Sequence, residues 1–366
     1  MLSHSSPRVF VAVTLVWALL VGASAEAQSP SERLAVAARS SERPKECRKG
    51  GNRRGGARYT IWDHARSPYL SRYCDILGQS LALLDRSPGE AREKSVLAND
   101  VLSGFASPFV LSARASVRLG DYRRALSDFQ KARVIDPSGA DEPGVLRDLA
   151  LAQRGAGALS DAILTYRVLV PRIDLLPDPE DRTLVLLEYA SLAMHLAAGG
   201  GVDRGEVGMR SEGGTGDGGR IEVGIDEAVA ALTVARSMPT SRSSPMVLGL
   251  LALALSRSSL PDQSEAVIEA LRRANQLELL DSINPNSLSF LVDRNEWTAV
   301  LALAWERDDR RRALLLWKQF VGSEPLSGNA AHAQSRILWL RGQPAISVRS
   351  TSGMSHGGVR RRVDEL

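Results

Sequence analysis

The sequence contains few aromatic residues. Phe, Trp and Tyr together make up 5% of the 366 residues, whereas hydrophobic residues as a group make up 44%. A core with so few rings must be built from aliphatic side chains, chiefly Ala and Leu. This composition favours an all-α protein with closely packed helices over a β-rich one. The charged fraction of 24% is that of a folded protein rather than of a disordered chain.

Sequence patterns of common active sites and metal sites are missing. The chain has no G-x-S-x-G, H-E-x-x-H, Walker-type or dinucleotide-binding glycine pattern, and its five histidines lack metal-ligand spacing. The glycine-rich stretch at 213–221 occurs once and departs from the spacing of calcium-binding repeats. No acidic residue is set apart by its neighbours. We therefore expect a protein that is not an enzyme and that holds no metal ion or cofactor.

A long apolar run occurs only at the N terminus. Arg8 precedes an apolar run at 9–21, and small residues follow up to Ala27. This order is typical of a secretory signal peptide, which we predict at 1–25. A membrane anchor is the alternative, but the run is shorter than the ~20 residues that a bilayer needs. We expect an exported protein, periplasmic or extracellular, that is not transmembrane once the signal is removed.

Positive charge is concentrated at the two ends of the chain. The net charge is +4, yet residues 31–58 hold nine Arg or Lys against three Glu, and residues 341–366 hold five Arg against two acidic residues. The body between them is therefore net negative. This distribution argues against nucleic acid as a partner and fits anionic components of a cell envelope. Both ends are rich in Arg, Ser and Gly, so we predict disordered arms at 26–58 and 342–366.

The two cysteines, Cys47 and Cys74, are 27 residues apart. In an oxidising compartment we expect them to pair, which would stabilise the fold by ~3 kcal/mol by restricting the unfolded chain. The alternative is two unrelated thiols, one on a helix and one in the basic arm.

Two neighbouring segments share one helix-turn-helix pattern. In residues 118–137, RLGDYRRALSDFQKARVIDP, small and aromatic residues recur on one helical stripe after a Gly-Asp turn. Three pairs of residues lie 37 positions apart: Gly120 and Gly157, Ala125 and Ala162, Phe129 and Tyr166. Equal offsets at three positions indicate a repeat. The residues predicted to pack the repeats are Ala113, Gly120, Ala125, Phe129, Ala132, Pro137, Ala150, Gly157, Ala162, Tyr166, Ala313 and Trp317.

These features resemble the tetratricopeptide-repeat (TPR) family, whose units of ~34 residues are antiparallel helix pairs stacked into a superhelix. The resemblance is strongest for 106–170. It implies an all-α fold, namely a right-handed superhelical solenoid of about five TPR-like helix-turn-helix units within 59–341. The predicted units are 106–137, 143–174, 225–239, 244–277 and 296–325, with a Gly-rich insertion at 199–224, an irregular connection at 278–295 and a capping helix at 328–341.

In superhelices of this family the first helix of each pair lines the concave face. The resemblance places four arginines toward that groove: Arg114, Arg118, Arg147 and Arg154. Their guanidinium groups are suited to hold an acidic segment or a C-terminal carboxylate by forked hydrogen bonds. The alternative is a solvated helix face. The arginines do not match the family's carboxylate clamp of paired Asn with Lys and Arg, so that activity is not implied.

The sequence therefore predicts a scaffold or adaptor that binds other proteins and catalyses nothing. The signal and the Ala/Arg-rich composition are typical of a bacterial protein, which favours the periplasm. One alternative is a solenoid subunit of an enzyme that processes the cell wall or exported proteins. Another is a protein anchored to anionic surfaces by its Arg-rich arms. The partner is not identified, and a homo-oligomer is left open.

Overall fold

The structure, a computed structural model, describes residues 44–47, 68–199, 223–258 and 260–342. Within these ranges the chain is all-α and has no β-strand. Contacts divide it into two compact units, residues 1–115 and 116–366. The predicted signal peptide lies outside the described residues, as do nearly all of the predicted arms and of the insertion.

Fourteen α-helices form in the described ranges. Six of them begin at a proline, which suits the first helical position because no partner is available there for the missing N–H. Asp121, Asp178 and Asp309 accept hydrogen bonds from backbone N–H groups of the helices that follow them. In chain order the helices are α1 Pro68–Leu83, α2 Pro88–Val101, α3 Ser107–Arg118, α4 Tyr122–Ile135, α5 Pro143–Gly155, α6 Leu159–Leu169, α7 Pro179–Ala198, α8 Ile225–Ser237, α9 Pro245–Arg257, α10 Pro261–Arg273, α11 Leu277–Ser282, α12 Glu296–Trp305, α13 Arg310–Gly322 and α14 Ser327–Leu340.

In the first unit, helices α1 and α2 form a pair, and Tyr73 of α1 is fully buried in its core. A 3₁₀ turn, Lys45–Cys47, is joined to α1 by a disulfide between Cys47 and Cys74. Tyr73 also donates a hydrogen bond to Glu46, with 2.8 Å between Oη and Oε1. The predicted disulfide is thus present. It holds this turn, which lies within the arm predicted to be disordered, against α1.

In the second unit the helices pack in consecutive pairs. Helix α5 packs on α6, α7 on α8, α9 on α10 and α12 on α13, and α14 then packs on α13. This arrangement confirms the predicted fold class of an all-α solenoid built from helix pairs. The right-handed superhelix stays a prediction.

Nine of the twelve residues predicted to pack the repeats are buried, whereas Gly120, Gly157 and Pro137 are exposed where helices end. Gly120 and Gly157, which follow α3 and α5, have φ angles of 75° and 82°, where a side chain would be strained. Pro137 begins a 3₁₀ turn directly after α4 and so ends that helix. The following residues are each no more than 1% exposed: Ala113, Ala125, Phe129, Ala132, Ala150, Ala162, Tyr166, Ala313 and Trp317.

The connection between α10 and α12, predicted to be irregular, contains the short helix α11 and a 3₁₀ turn, Pro285–Ser287. The residues after this turn have no regular structure. Nevertheless, the side chains of Leu288, Phe290 and Leu291 are 4–5% exposed and belong to the main hydrophobic core. The connection is therefore an integral part of the second unit rather than a surface loop.

Helix α12 crosses α9 in the opposite direction. Arg257 at the end of α9 lies beside Glu296 at the start of α12, and Gly249 in the middle of α9 faces Val300 further along α12. The repeat pattern does not reveal this reversal, because an amphipathic stripe has the same spacing in both directions. As a result, the last helices fold back against α7 and α9.

Candidate binding surface

Three of the four predicted groove arginines lie in the second unit. Arg118 is the last residue of α3, and Arg147 and Arg154 are two helical turns apart on one side of α5. Arg114 also lies in α3 but belongs to the first unit. We use the term first-helix face for the surface formed by α5, α7 and the last residue of α3, which carries Arg118, Arg147, Arg154 and their contacts.

Arg118 and Arg147 both pair with carboxylates of the chain itself. Arg118 forms an ion pair with Asp148, whose side chain is 3% exposed. Nη1 of Arg147 lies 2.5 Å from Oδ1 of Asp181, and its Nε lies 3.8 Å from Oε2 of Glu188. These pairs connect the end of α3 to α5, and α5 to α7. The charges of the first-helix face are therefore balanced within the fold.

Glu188 is the buried carboxylate of this network. It is 3% exposed, and Tyr166 donates a hydrogen bond to it, with 3.1 Å between Oη and Oε2. Burial raises the pKa of Glu188, although the charge of Arg147 acts in the opposite sense. Burial alone would lower the pKa of Arg147, but Glu188 and Asp181 raise it overall. Arg147 thus remains a cation whose counter-charges belong to α7.

Arg154 binds the connection between α11 and α12. Its Nη1 donates to the carbonyl of Phe290 at 2.8 Å, and its Nη2 donates to the carbonyl of Ser289 at 3.0 Å. On α7, Ser191 Oγ accepts a hydrogen bond from the N–H of Val292 at 2.9 Å. The first-helix face therefore holds an irregular stretch of polypeptide by its backbone. Part of this face remains accessible, since the side chains of Arg118 and Asp181 are 29% and 44% exposed.

A second charged cluster lies where α14 meets α9 and α12. Arg257 and Glu296 are 6% and 4% exposed, and their Nη1 and Oε2 atoms are 2.6 Å apart. Asn329 of α14 donates to Oε1 of Glu296, also at 2.6 Å. Burial raises the pKa of Glu296. The cluster links the start of α14 to the ends of the other two helices.

The expectation that no acidic residue is set apart is wrong. Glu188 and Glu296 are both 3% exposed, whereas a solvated helix face would leave such residues in water. A signal for Glu188 was available, because it is the one charged residue in the apolar run from Thr183 to Met194. Ser191 gave no such signal, because its role depends on the path of a connection about one hundred residues later. A partner-binding role for Arg114, Arg118, Arg147 and Arg154 stays a prediction.

The described part of the chain offers neither a metal site nor a membrane span. No group of three or more His, Cys, Asp or Glu side chains there is placed to hold a metal ion. No helix in these ranges has both the length and the apolar character to cross a bilayer.

Comparison with known proteins adds no assignment. No family model and no curated protein matches the chain. The TPR family therefore stays a prediction that rests on the repeat pattern.

Proposed function

We propose that this protein is a non-catalytic scaffold that binds segments of other proteins on its first-helix face. The observation that carries the proposal is the contact between Arg154 and the connection. One guanidinium group binds two consecutive backbone carbonyls, and Ser191 binds a nearby backbone N–H. Hydrogen bonds to main-chain groups are a common means by which proteins hold extended partner segments.

The ion pairs on this face change the kind of partner that we expect. A partner carboxylate that approached Arg118 or Arg147 would have to displace Asp148 or Asp181. Such an exchange of one carboxylate for another brings little net gain. We therefore propose that a partner is held through backbone groups and apolar side chains beside Asp181, rather than through a terminal carboxylate.

Export and a TPR-like repeat are part of the same proposal. The disulfide between Cys47 and Cys74 supports an oxidising compartment. The repeat is supported by the left-handed glycines that follow α3 and α5 at equivalent positions. Sequencing the N terminus of the chain from its native cells tests export: we expect it to begin just after Ala25 or Ala27. An intact N terminus in the cytosolic fraction would contradict export.

Site-specific crosslinking tests the binding surface. A photo-reactive amino acid in place of Asp181 reports on the open part of the first-helix face, and one in place of Thr233 on α8 is the control. We expect discrete crosslinked proteins from position 181 and none of the same products from position 233. Identical products from both positions would contradict the assignment. Arg147→Glu is a poor test, because it would place a third carboxylate beside Asp181 and Glu188 and so destabilise the fold.

The non-catalytic part of the proposal has its own test. The purified chain is incubated with peptidoglycan or with exported proteins, and products are analysed by mass spectrometry. We expect retention without turnover. Products that accumulate with time would favour the alternative of an enzyme subunit.

A further inference from the structure

Exposed arginines gather where α10 and α14 end and α13 begins. Nε of Arg272 lies 2.9 Å from Oδ2 of Asp308 in the turn between α12 and α13, and Nη1 of Arg307 lies 3.2 Å from Oε2 of Glu269 on α10. The guanidinium of Arg310 lies beside the residue that follows Arg341 at the end of α14. We call this group the basic end, and it comprises Arg272, Arg273, Arg307, Arg310, Arg311, Arg312 and Arg341.

The positive charge of the basic end is not balanced by its neighbours. Glu269 is shared by three arginines: Arg272, Arg273 and Arg307. Arg310, Arg311 and Arg341 form no ion pair within the part of the chain that the structure describes. Arg310, Arg311 and Arg341 are therefore available to an external anion.

Large apolar side chains are exposed on two of the helices that carry these arginines. Leu315, one turn after Arg311 on α13, is 67% exposed. Trp339 in the last turn of α14 is 51% exposed, and the guanidinium carbon of Arg336, which pairs with Glu306, lies 4.8 Å from its ring centroid. A soluble anion would neutralise the arginines but leave these side chains in water. At a bilayer surface, by contrast, guanidinium groups meet lipid phosphates while Trp and Leu enter the interfacial layer.

We propose that the basic end, with Leu315 and Trp339, docks the protein on a membrane of anionic phospholipid. The sequence after α14 is of the same sign, because residues 343–366 hold four arginines against Asp364 and Glu365. This role goes beyond the proposed scaffold function, since it concerns where the protein resides rather than what its first-helix face holds.

Vesicle binding by the full chain tests the charge contribution. Arg310→Glu with Arg311→Glu is compared with Arg123→Glu with Arg124→Glu, which changes two exposed arginines in the first turn of α4. The probes are phosphatidylcholine vesicles with and without phosphatidylglycerol. We expect binding only with phosphatidylglycerol, weakening as salt rises. Each arginine is worth about fivefold in affinity, so the first variant should bind at least ~25-fold more weakly and the control nearly as well as wild type. Equal binding by the two variants would overturn the proposal.

The apolar contribution separates a lipid surface from a soluble acidic partner. Leu315→Ser is compared with Leu175→Ser, which alters a leucine that is 65% exposed elsewhere in the second unit. We expect only Leu315→Ser to weaken binding to the anionic vesicles, and neither change to affect binding to poly-glutamate. If poly-glutamate competes fully with the vesicles and Leu315→Ser has no effect, an acidic protein segment is the better occupant. Circular dichroism confirms that each variant is folded.

Discussion

At the scale of single residues, Glu188 matters because it is buried with its partners. Both Glu188 and Asp181 contact Arg147, but their side chains are 4% and 44% exposed. Removal of the buried carboxylate would also leave the hydroxyl of Tyr166 without its acceptor. Water can replace Asp181 but has little access to Glu188. Glu188 and Asp181 therefore allow a comparison of two carboxylates that contact the same arginine but differ in burial.

We predict that Glu188→Ala lowers the free energy of unfolding by about 3 kcal/mol, because it leaves a half-buried cation and a buried hydroxyl poorly paired. The control, Asp181→Ala, should cost less than ~1 kcal/mol, as expected for a partly solvated ion pair. Urea unfolding followed by circular dichroism measures both. Equal losses of unfolding free energy would show that burial does not determine how much Glu188 stabilises the fold.

The half-buried histidine His332 gives the fold a dependence on pH. Its ring packs edge-on against Trp317, with 5.7 Å between centroids. Burial, together with the charges of Arg257 and Arg336, lowers the pKa of His332 to about 3. In the unfolded chain the pKa returns to ~6.5. Between these values the unfolded chain binds a proton that the folded chain does not, so stability falls as pH falls.

We predict that His332 accounts for about 2 kcal/mol of the stability lost between roughly pH 6.5 and pH 4.5. The contribution is constant above the unfolded pKa. His332→Gln keeps a polar side chain but removes the titration, so its free energy of unfolding should fall less steeply with acid. Urea unfolding at a series of pH values measures the difference between the two proteins. Parallel curves would contradict the prediction, as would a His332 imidazole signal that titrates near its ordinary pKa in NMR spectra.

At the scale of helices, the sequence predicts the helix pairs but not the direction in which α12 crosses α9. The stripe of Ala125, Phe129 and Ala132 is visible in the sequence because small residues must recur where two helices cross. Gly120 and Gly157 are visible because left-handed turns favour glycine. The reversal of α12 depends on a contact between Arg257 and Glu296, which no periodicity marks.

The candidate binding surface can likewise be predicted from the sequence only in part. The spacing of seven residues places Arg147 and Arg154 on one side of α5. It does not predict that the carbonyls of Ser289 and Phe290 accept hydrogen bonds from Arg154. That contact depends on a connection without regular structure, whose path is set by the burial of its own apolar side chains.

Gly328 fixes the position of α14 against α7. A Cβ atom at Gly328 would lie 2.9 Å from the carbonyl oxygen of Ala198 and 3.1 Å from its Cα atom. Both are backbone atoms in the last turn of α7, so neither can move aside as a flexible side chain would. The absence of a side chain at this position is therefore what allows the two helix ends to meet.

We predict that Gly328→Ala lowers the free energy of unfolding by roughly 1–3 kcal/mol, because α14 must shift away from α7. Gly144→Ala is the matched control: it too is the second residue of a helix, but its Cβ atom would meet nothing within 4 Å. That change should be neutral or stabilise by a few tenths of a kcal/mol. Thermal unfolding measures stability, and amide exchange across α14 locates the change. Equal behaviour of the two variants would contradict the close-contact argument.

At the scale of the second unit, the chain covers part of the surface that an open solenoid would present. The connection lies on Arg154 and Ser191, and the start of α14 lies on the end of α7. The accessible part of the first-helix face is therefore the region of Arg118 and Asp181. A partner bound there, as proposed, would contact only a short stretch of the surface.

The disulfide should act on the first unit alone, because Cys47 and Cys74 both lie within residues 1–115, which form a compact unit of their own. Reduction releases a loop of 27 residues and should cost about 3 kcal/mol. We predict faster amide exchange in α1 and α2 after reduction, with unchanged exchange in α5 and α7. A Cys47→Ser and Cys74→Ser double variant should show the amide exchange of the reduced protein, and the reductant should not change it. Equal acceleration in both units would show that they do not unfold independently, and no acceleration in α1 would show that the bond does not stabilise the turn it joins.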